Sequence, residues 1–221
     1  MRLLFSALTK LIIGFLLISL LLFIPAGTML YFNAWLFIGL LFAPMTLLGC
    51  VLFFKAPSLL EKRLNRNEKE NTQKLVVAIS GILFLLSFTA AGLDFRFEIS
   101  RVPLWLVALS SVVFLASYLL YAEVMRENAY LSRTVVVQKN QRVIDTGVYG
   151  VVRHPMYFAT VFMFLSMPLI LGSFLSLVFL LPYPFVIVVR IKNEEDVLER
   201  ELDGYTEYKK RVRYRLIPFV W

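Results

Sequence analysis

The sequence has one cysteine and one histidine in 221 residues. With Cys50 alone no intramolecular disulfide can form, so a secreted fold stapled by bridges is excluded. Cys50 lies in an apolar run and reads as a small packing residue. His154 has no cysteine or second histidine to complete a zinc set, and no metal is expected. Charge is scarce as well: Asp, Glu, Lys and Arg make up 17% of the chain, against 59% hydrophobic residues and 20 Phe. One water-soluble core of this size cannot hide so much apolar surface, and lipid must cover much of it. The net charge of +8 raises nucleic acid as a partner. The Lys and Arg residues, however, sit between apolar runs and form no single patch, so nucleic acid is not expected.

What is present is a series of long apolar runs. Those at 8–27, 34–54, 75–93 and 103–123 are each long enough to cross a hydrocarbon core, which takes about 20 residues per helix. Arg2 and Lys10 imitate the start of a signal peptide, but Ile24-Pro25-Ala26-Gly27 is a poor cleavage site and further spans follow, so an uncleaved first helix is expected. The last apolar region, 156–189, is too long for one crossing and is punctuated by Pro168 and Gly172. It reads as a helical hairpin whose short first limb turns back inside the bundle. The expected fold is therefore all-α: a polytopic transmembrane bundle of about six helices, four spans plus a C-terminal hairpin.

Charge placement orients this bundle. Six crossings put Arg2, Lys10, the loop 55–74, the loop 124–155 and the tail from Arg190 on one side, leaving only Arg96 and Arg101 on the other. By the positive-inside rule both termini are cytosolic. The modest size suggests a prokaryotic plasma membrane. The loop 61–74, rich in Glu, Lys, Asn and Arg, reads as a solvated connection. Two regions result: a four-helix transmembrane part, 1–123, and a part 124–221 made of loop, hairpin and tail, where the chemistry is expected.

The loop 124–155 and the tail 190–221 return to the same membrane face and are expected to form one site. The stretch Gly147-Val148-Tyr149-Gly150-Val151-Val152-Arg153-His154-Pro155-Met156-Tyr157 sets polar groups directly before a membrane helix. Pro155 suits the first helical turn, where a missing N–H costs nothing. A helix start leaves unpaired N–H groups that can receive a carboxylate or phosphate, and Arg153 and His154 would add donors. Beyond the hairpin, Arg190 and Glu194 are four apart and share a helix face, while Glu195 points about 100° away from Glu194. Adjacent carboxylates opposite a helix start suit a zwitterionic cation such as S-adenosylmethionine. The glutamates would take its ammonium and the Arg153–His154 end its carboxylate. Tyr157, Tyr205 or Tyr208 would lie near the adenine or the sulfonium. The competing reading is a plain interface: Arg153 and His154 as anchors, Tyr157 in the aromatic belt, and a solvated Glu-rich helix.

Asn128 through Tyr157, then Glu194-Glu195, Gly204-Tyr205-Thr206-Glu207-Tyr208 and Arg211-Val212-Arg213-Tyr214-Arg215-Leu216-Ile217-Pro218, closely resemble the isoprenylcysteine carboxyl methyltransferase family. Related phospholipid methyltransferases share the Arg-His-Pro-x-Tyr and Glu-Glu elements. The resemblance covers residues 128–221. It implies an S-adenosylmethionine site near the cytosolic face, with His154, Pro155, Tyr157, Glu194 and Glu195 at the family's cofactor-contacting positions, and Arg190 as an acceptor-side or transition-state group. Arg190 and Glu194 are thus the catalytic candidates, and Arg153, Tyr205 and Tyr208 join the cofactor set. Where the family often has glycine two residues after the motif tyrosine, this chain has Ala159. The implied acceptor is lipophilic: a prenylcysteine-like carboxylate, a lipid or a small hydrophobic molecule arriving through the bilayer.

Two rival functions fit parts of the pattern. Membrane sterol reductases, which use NADPH, resemble the Arg-His-Pro-x-Tyr stretch and the Tyr-rich, Ile-Pro ending. The paired glutamates and Ala159 without a following acidic residue favour the methyltransferase. A noncatalytic membrane protein or small transporter is the other; no charge interrupts the span centres, which weakens a transport pathway.

Overall fold

The structure is a computed structural model that describes residues 1–65, 68 and 70–221. In chain order the helices are α1 (Arg2–Ala26), α2 (Phe32–Lys55), α3 (Pro57–Leu64), α4 (Asn71–Phe97), α5 (Leu104–Glu127), α6 (Pro155–Ile170), α7 (Phe174–Leu180), α8 (Tyr183–Glu201) and α9 (Tyr205–Arg211). Among the described residues, five stretches are long and apolar enough to cross a membrane: α1, α2, α4, α5 and the continuous run Phe174–Glu201 formed by α7 and α8. Side chains such as Phe5, Ile12, Trp105, Leu119 and Phe185 are exposed on the outside of this bundle, as lipid contact requires. The protein is an all-helical, polytopic integral membrane bundle.

The expected hairpin is present. Its first limb, α6, has 16 residues and so rises about 24 Å, short of a hydrocarbon core of about 30 Å. The chain reverses at Leu171–Ser173, where Gly172 takes the left-handed conformation (φ 80°) that a side chain disfavours. A turn at this depth needs every backbone group satisfied by protein. Tyr31 Oη donates to Leu171 O (2.5 Å), Asn33 Nδ2 to Ile170 O (2.8 Å), and Val102 N to Gly172 O (3.4 Å). Asp94, near the end of α4, accepts from Ser100 N (2.6 Å), Ser100 Oγ (2.5 Å) and Ser173 Oγ. The midsection beneath is filled by Leu22, Phe37, Phe88, Phe114, Met163 and Ile170, which join α1, α2, α4, α5 and α6.

Two expectations are corrected. The 61–74 segment is not wholly a solvated connection: α3 reaches into it, starting on Pro57 at its first turn and burying Leu59 and Leu60 with Leu52 and Met125. Residues 66, 67 and 69 of that segment lie outside the described residues. Cys50 does not pack in the core; it is exposed, because the face of α2 that carries it looks into an open groove against α1.

Candidate functional site

At the end of the bundle that holds α3, the loop after α5, the start of α6, the end of α8 and α9 enclose a polar cavity. The loop is shaped by a carboxylate. Glu127, the last residue of α5, accepts from Val148 N (3.1 Å) and so caps the 3-10 turn Gly147–Gly150. Gly147 is required twice over: its φ is 53°, and a Cβ there would run into the Glu127 carboxylate. Asn128 Nδ2 donates to Tyr149 Oη (3.0 Å), and Tyr208 Oη donates to Tyr149 O (2.8 Å), which seats α9 on the turn.

Helix α6 begins at Pro155 with His154 as the preceding cap residue, as the proline predicts. The N–H groups ahead of it are already used. Arg153 N donates to Tyr214 O (3.0 Å) and His154 N to Arg215 O (2.9 Å), so the tail, in the expected place of an anion, covers this ledge. Further in, Tyr157 Oη donates to Glu194 Oε2 (2.5 Å) and accepts from Arg190 Nε (2.7 Å). Arg190 Nη2 donates to Arg133 O (2.8 Å), and its guanidinium lies 5.7 Å from the Tyr157 ring centre. One hydroxyl thus fixes both a carboxylate and a guanidinium at the cavity wall.

Of the residues singled out in the sequence, the cavity gathers Arg153, His154, Pro155, Tyr157, Arg190, Glu194, Tyr205 and Tyr208. Glu195 is not among the lining residues. It is 2% exposed, and both its oxygens are engaged by Arg153, His154 and Arg215. The two glutamates therefore divide: Glu194 faces the cavity and Glu195 faces away, as their 100° separation on one helix allows. The pairing of both carboxylates on one ligand ammonium does not fit this placement. Ala159 is fully buried in α6 and its methyl group is accommodated.

The Tyr205 hydroxyl is buried and has no hydrogen-bond partner among the described residues. Burial, reinforced by the charges of Glu195 and Glu194, holds it well above the ordinary tyrosine value, so it remains a proton donor on a residue of the cavity wall. An orphaned donor in a polar cavity is where a ligand acceptor is wanted. Glu194, Tyr157 and Tyr208 line the same cavity. This donor set fits an amphoteric, cationic ligand of the S-adenosylmethionine kind: a carboxylate for an ammonium, a hydroxyl for an acceptor oxygen, and aromatic surface.

Two contributors were missed by sequence reading. Gln73, fully buried at the start of α4, donates from Nε2 to Asn193 Oδ1 (2.7 Å) and Arg190 O (3.2 Å), bracing α8 beneath the site. Its signal was an amide in the first turn of a span. Arg63 of α3 donates to Ser132 O (3.0 Å), to Met156 Sδ and to Tyr121 Oη, tying α3, α5 and α6 together. Pro57 followed by Leu59 and Leu60 was the available sign of the helix that carries it.

A mouse protein, Delta(14)-sterol reductase TM7SF2 of Mus musculus, is 32% identical over 91 residues. That match covers 40% of this chain and 22% of the relative, so the chain spans only about a fifth of the relative's length. Residues 97–200 match the model of the isoprenylcysteine carboxyl methyltransferase family. The matched stretch runs from the end of α4 through α8 and takes in the α6 start, Arg190 and both glutamates; over it the chain is similar to the isoprenylcysteine carboxyl methyltransferase family.

Proposed function

We propose that the protein is an S-adenosylmethionine-dependent methyltransferase that modifies a lipophilic acceptor at the cytosolic face of the membrane, with both termini on that side. The observation that carries this reading is the cavity in which Glu194, Tyr157, Arg190 and the partnerless Tyr205 hydroxyl converge. The family match supports the methyltransferase class.

S-adenosylmethionine would supply an electrophilic methyl group on a sulfonium. The protein's task in such a displacement is alignment. Glu194, held by Tyr157, would take the ligand ammonium, and Tyr205 would donate to a carboxylate or ribose oxygen. Arg190, fixed between Tyr157 and the Arg133 carbonyl, presents a cation toward the acceptor. A carboxylate or thiolate acceptor needs no base, whereas a protonated amine would pass its proton to Glu194 or His154.

A second cavity supports a lipophilic acceptor. A groove of about 470 Å³ between α1, α2 and α3 is lined by Leu4, Leu8, Leu11, Phe53, Phe54 and Leu60, with Lys10, Arg63 and Arg133 among its walls. Arg133 lines both this groove and the polar cavity. An acyl or prenyl chain lying in the groove would bring its polar end to that shared wall. The plasma membrane of a prokaryote remains our reading of location.

The mouse match favours a second reading, an NADPH-dependent reductase. Calorimetry of the detergent-purified protein with S-adenosylmethionine and with NADPH separates the two. Binding of S-adenosylmethionine that Glu194→Ala weakens by about tenfold or more, the loss expected for a hydrogen-bonded charge, supports the methyltransferase. NADPH binding alone would turn the assignment to the reductase, and binding of neither by folded protein would turn it to a noncatalytic role.

A further inference from the structure

Glu195 has too many partners for a side chain that does not line the polar cavity. Its Oε1 accepts from Arg153 Nε (2.7 Å) and faces His154 Nε2 (3.3 Å), and its Oε2 accepts from Arg215 Nε (2.8 Å). These donors come from the α6 start and from the tail, about 40 and 20 residues away respectively. The tail is strapped over the same ledge by further bonds: Arg153 Nη1 donates to Val212 O (2.7 Å) and Arg213 O (2.9 Å). The strap then folds on itself, with Arg215, Leu216 and Ile217 N–H all pointing at Trp221 O and the Arg215 guanidinium 5.2 Å from the Trp221 ring centre.

The arrangement has a direct link to the cavity. Arg153 and His154 line it, and the strap continues without a break from α9, which carries Tyr205 and Tyr208. A buried carboxylate is tolerated only with its charge and lone pairs met, so Glu195 is stable in place only when the Arg153–His154 ledge and Arg215 are both delivered to it. We infer that Glu195 is a positioning residue: it contacts no ligand, and it registers the strap 212–216 on the start of α6 so that Tyr205 and the ledge form one wall. The ligand named here rests on the methyltransferase reading above; the strap itself does not.

Arg215 gives the test, because it lies outside the cavity and its side chain is 29% exposed, so its removal disturbs the core less than loss of Glu195. Full-length protein is titrated with S-adenosylmethionine and, without ligand, digested with trypsin while cleavage after Arg213 is timed. Arg215→Ala and Glu195→Gln are each expected to weaken binding by about tenfold, the size of one charged hydrogen bond, and to speed cleavage. The double variant is expected to be no worse than the worse single, since both break one unit, and Arg215→Lys to recover most of the loss. Bound S-adenosylmethionine is expected to slow cleavage of the wild type, because ligand and strap stabilise one another. If Arg215→Ala leaves affinity and cleavage unchanged while Glu195→Gln abolishes binding, Glu195 is itself a ligand contact and the inference fails. If the wild type binds no S-adenosylmethionine but both variants still speed cleavage, the strap stands and the cofactor assignment falls.

Discussion

Each end of the bundle hides a carboxylate, Glu195 at 2% exposure and Asp94 at 1%, and the two are satisfied in different ways. Asp94 is met by a backbone N–H and two hydroxyls, neutral donors from Ser100 and Ser173. Glu195 is met by two guanidiniums and an imidazole. The neighbourhoods differ in completeness too. Around Asp94 the turn is closed off, with Ser87 and Ser176 bonded to each other across α4 and α7. Near Glu195, a buried polar atom without a partner among the described residues, Tyr205 Oη, remains. A closed network of neutral bonds holds a turn, while a charge-dense cluster beside an unused donor is arranged for something that arrives.

The contrast can be broken first by deleting the charges. Glu195→Ala leaves the Arg153 guanidinium, 4% exposed, without its counterion, and a loss of about 3–5 kcal/mol is expected in detergent unfolding. Asp94→Asn removes one acceptor oxygen from neutral donors and is expected to cost about 1–3 kcal/mol, with ligand affinity at the other end unchanged. Equal losses at the two sites would erase the distinction between them. A smaller effect, roughly 1–2 kcal/mol for forcing a left-handed residue, is expected for Gly147→Ala, together with displacement of the Glu127 carboxylate; weakened ligand binding by calorimetry checks that the α5–loop junction matters to the cavity. Smallest on the fold is Tyr205→Phe. Its hydroxyl bonds to nothing, so the melting temperature should hold, while ligand affinity drops by the roughly 0.5–1.5 kcal/mol of one neutral hydrogen bond.

The large outlines were legible because lipid imposes them. Apolar runs give spans by length alone, and the side-to-side imbalance of Lys and Arg demanded an even number of crossings, hence the hairpin at Pro168–Gly172. Pro155 announced the α6 start and, with the topology, brought Tyr157, Glu194 and Arg190 to one face. The gaps lie where packing decides. Helix α3 is short and charged and is held by Leu59, Leu60 and Arg63 docking on neighbours, which no local pattern encodes. Adjacent glutamates look alike in a sequence; which one faces the cavity depends on where the tail lays Arg215. The span ends looked unremarkable, so the roles of Tyr31, Asn33, Asp94 and Gln73 went unread.

The turn between α6 and α7 also bears on how the chain is assembled. Helix α6 is too short to span alone, and its polar turn is expensive in hydrocarbon until partners cover it. Apart from Ser173 itself, those partners are Tyr31, Asn33, Asp94, Ser100 and Val102, all earlier in the chain. A ribosome delivers them before the hairpin emerges. The first four spans therefore serve as the template on which the hairpin inserts, and the order of synthesis is the order in which the bonds are needed.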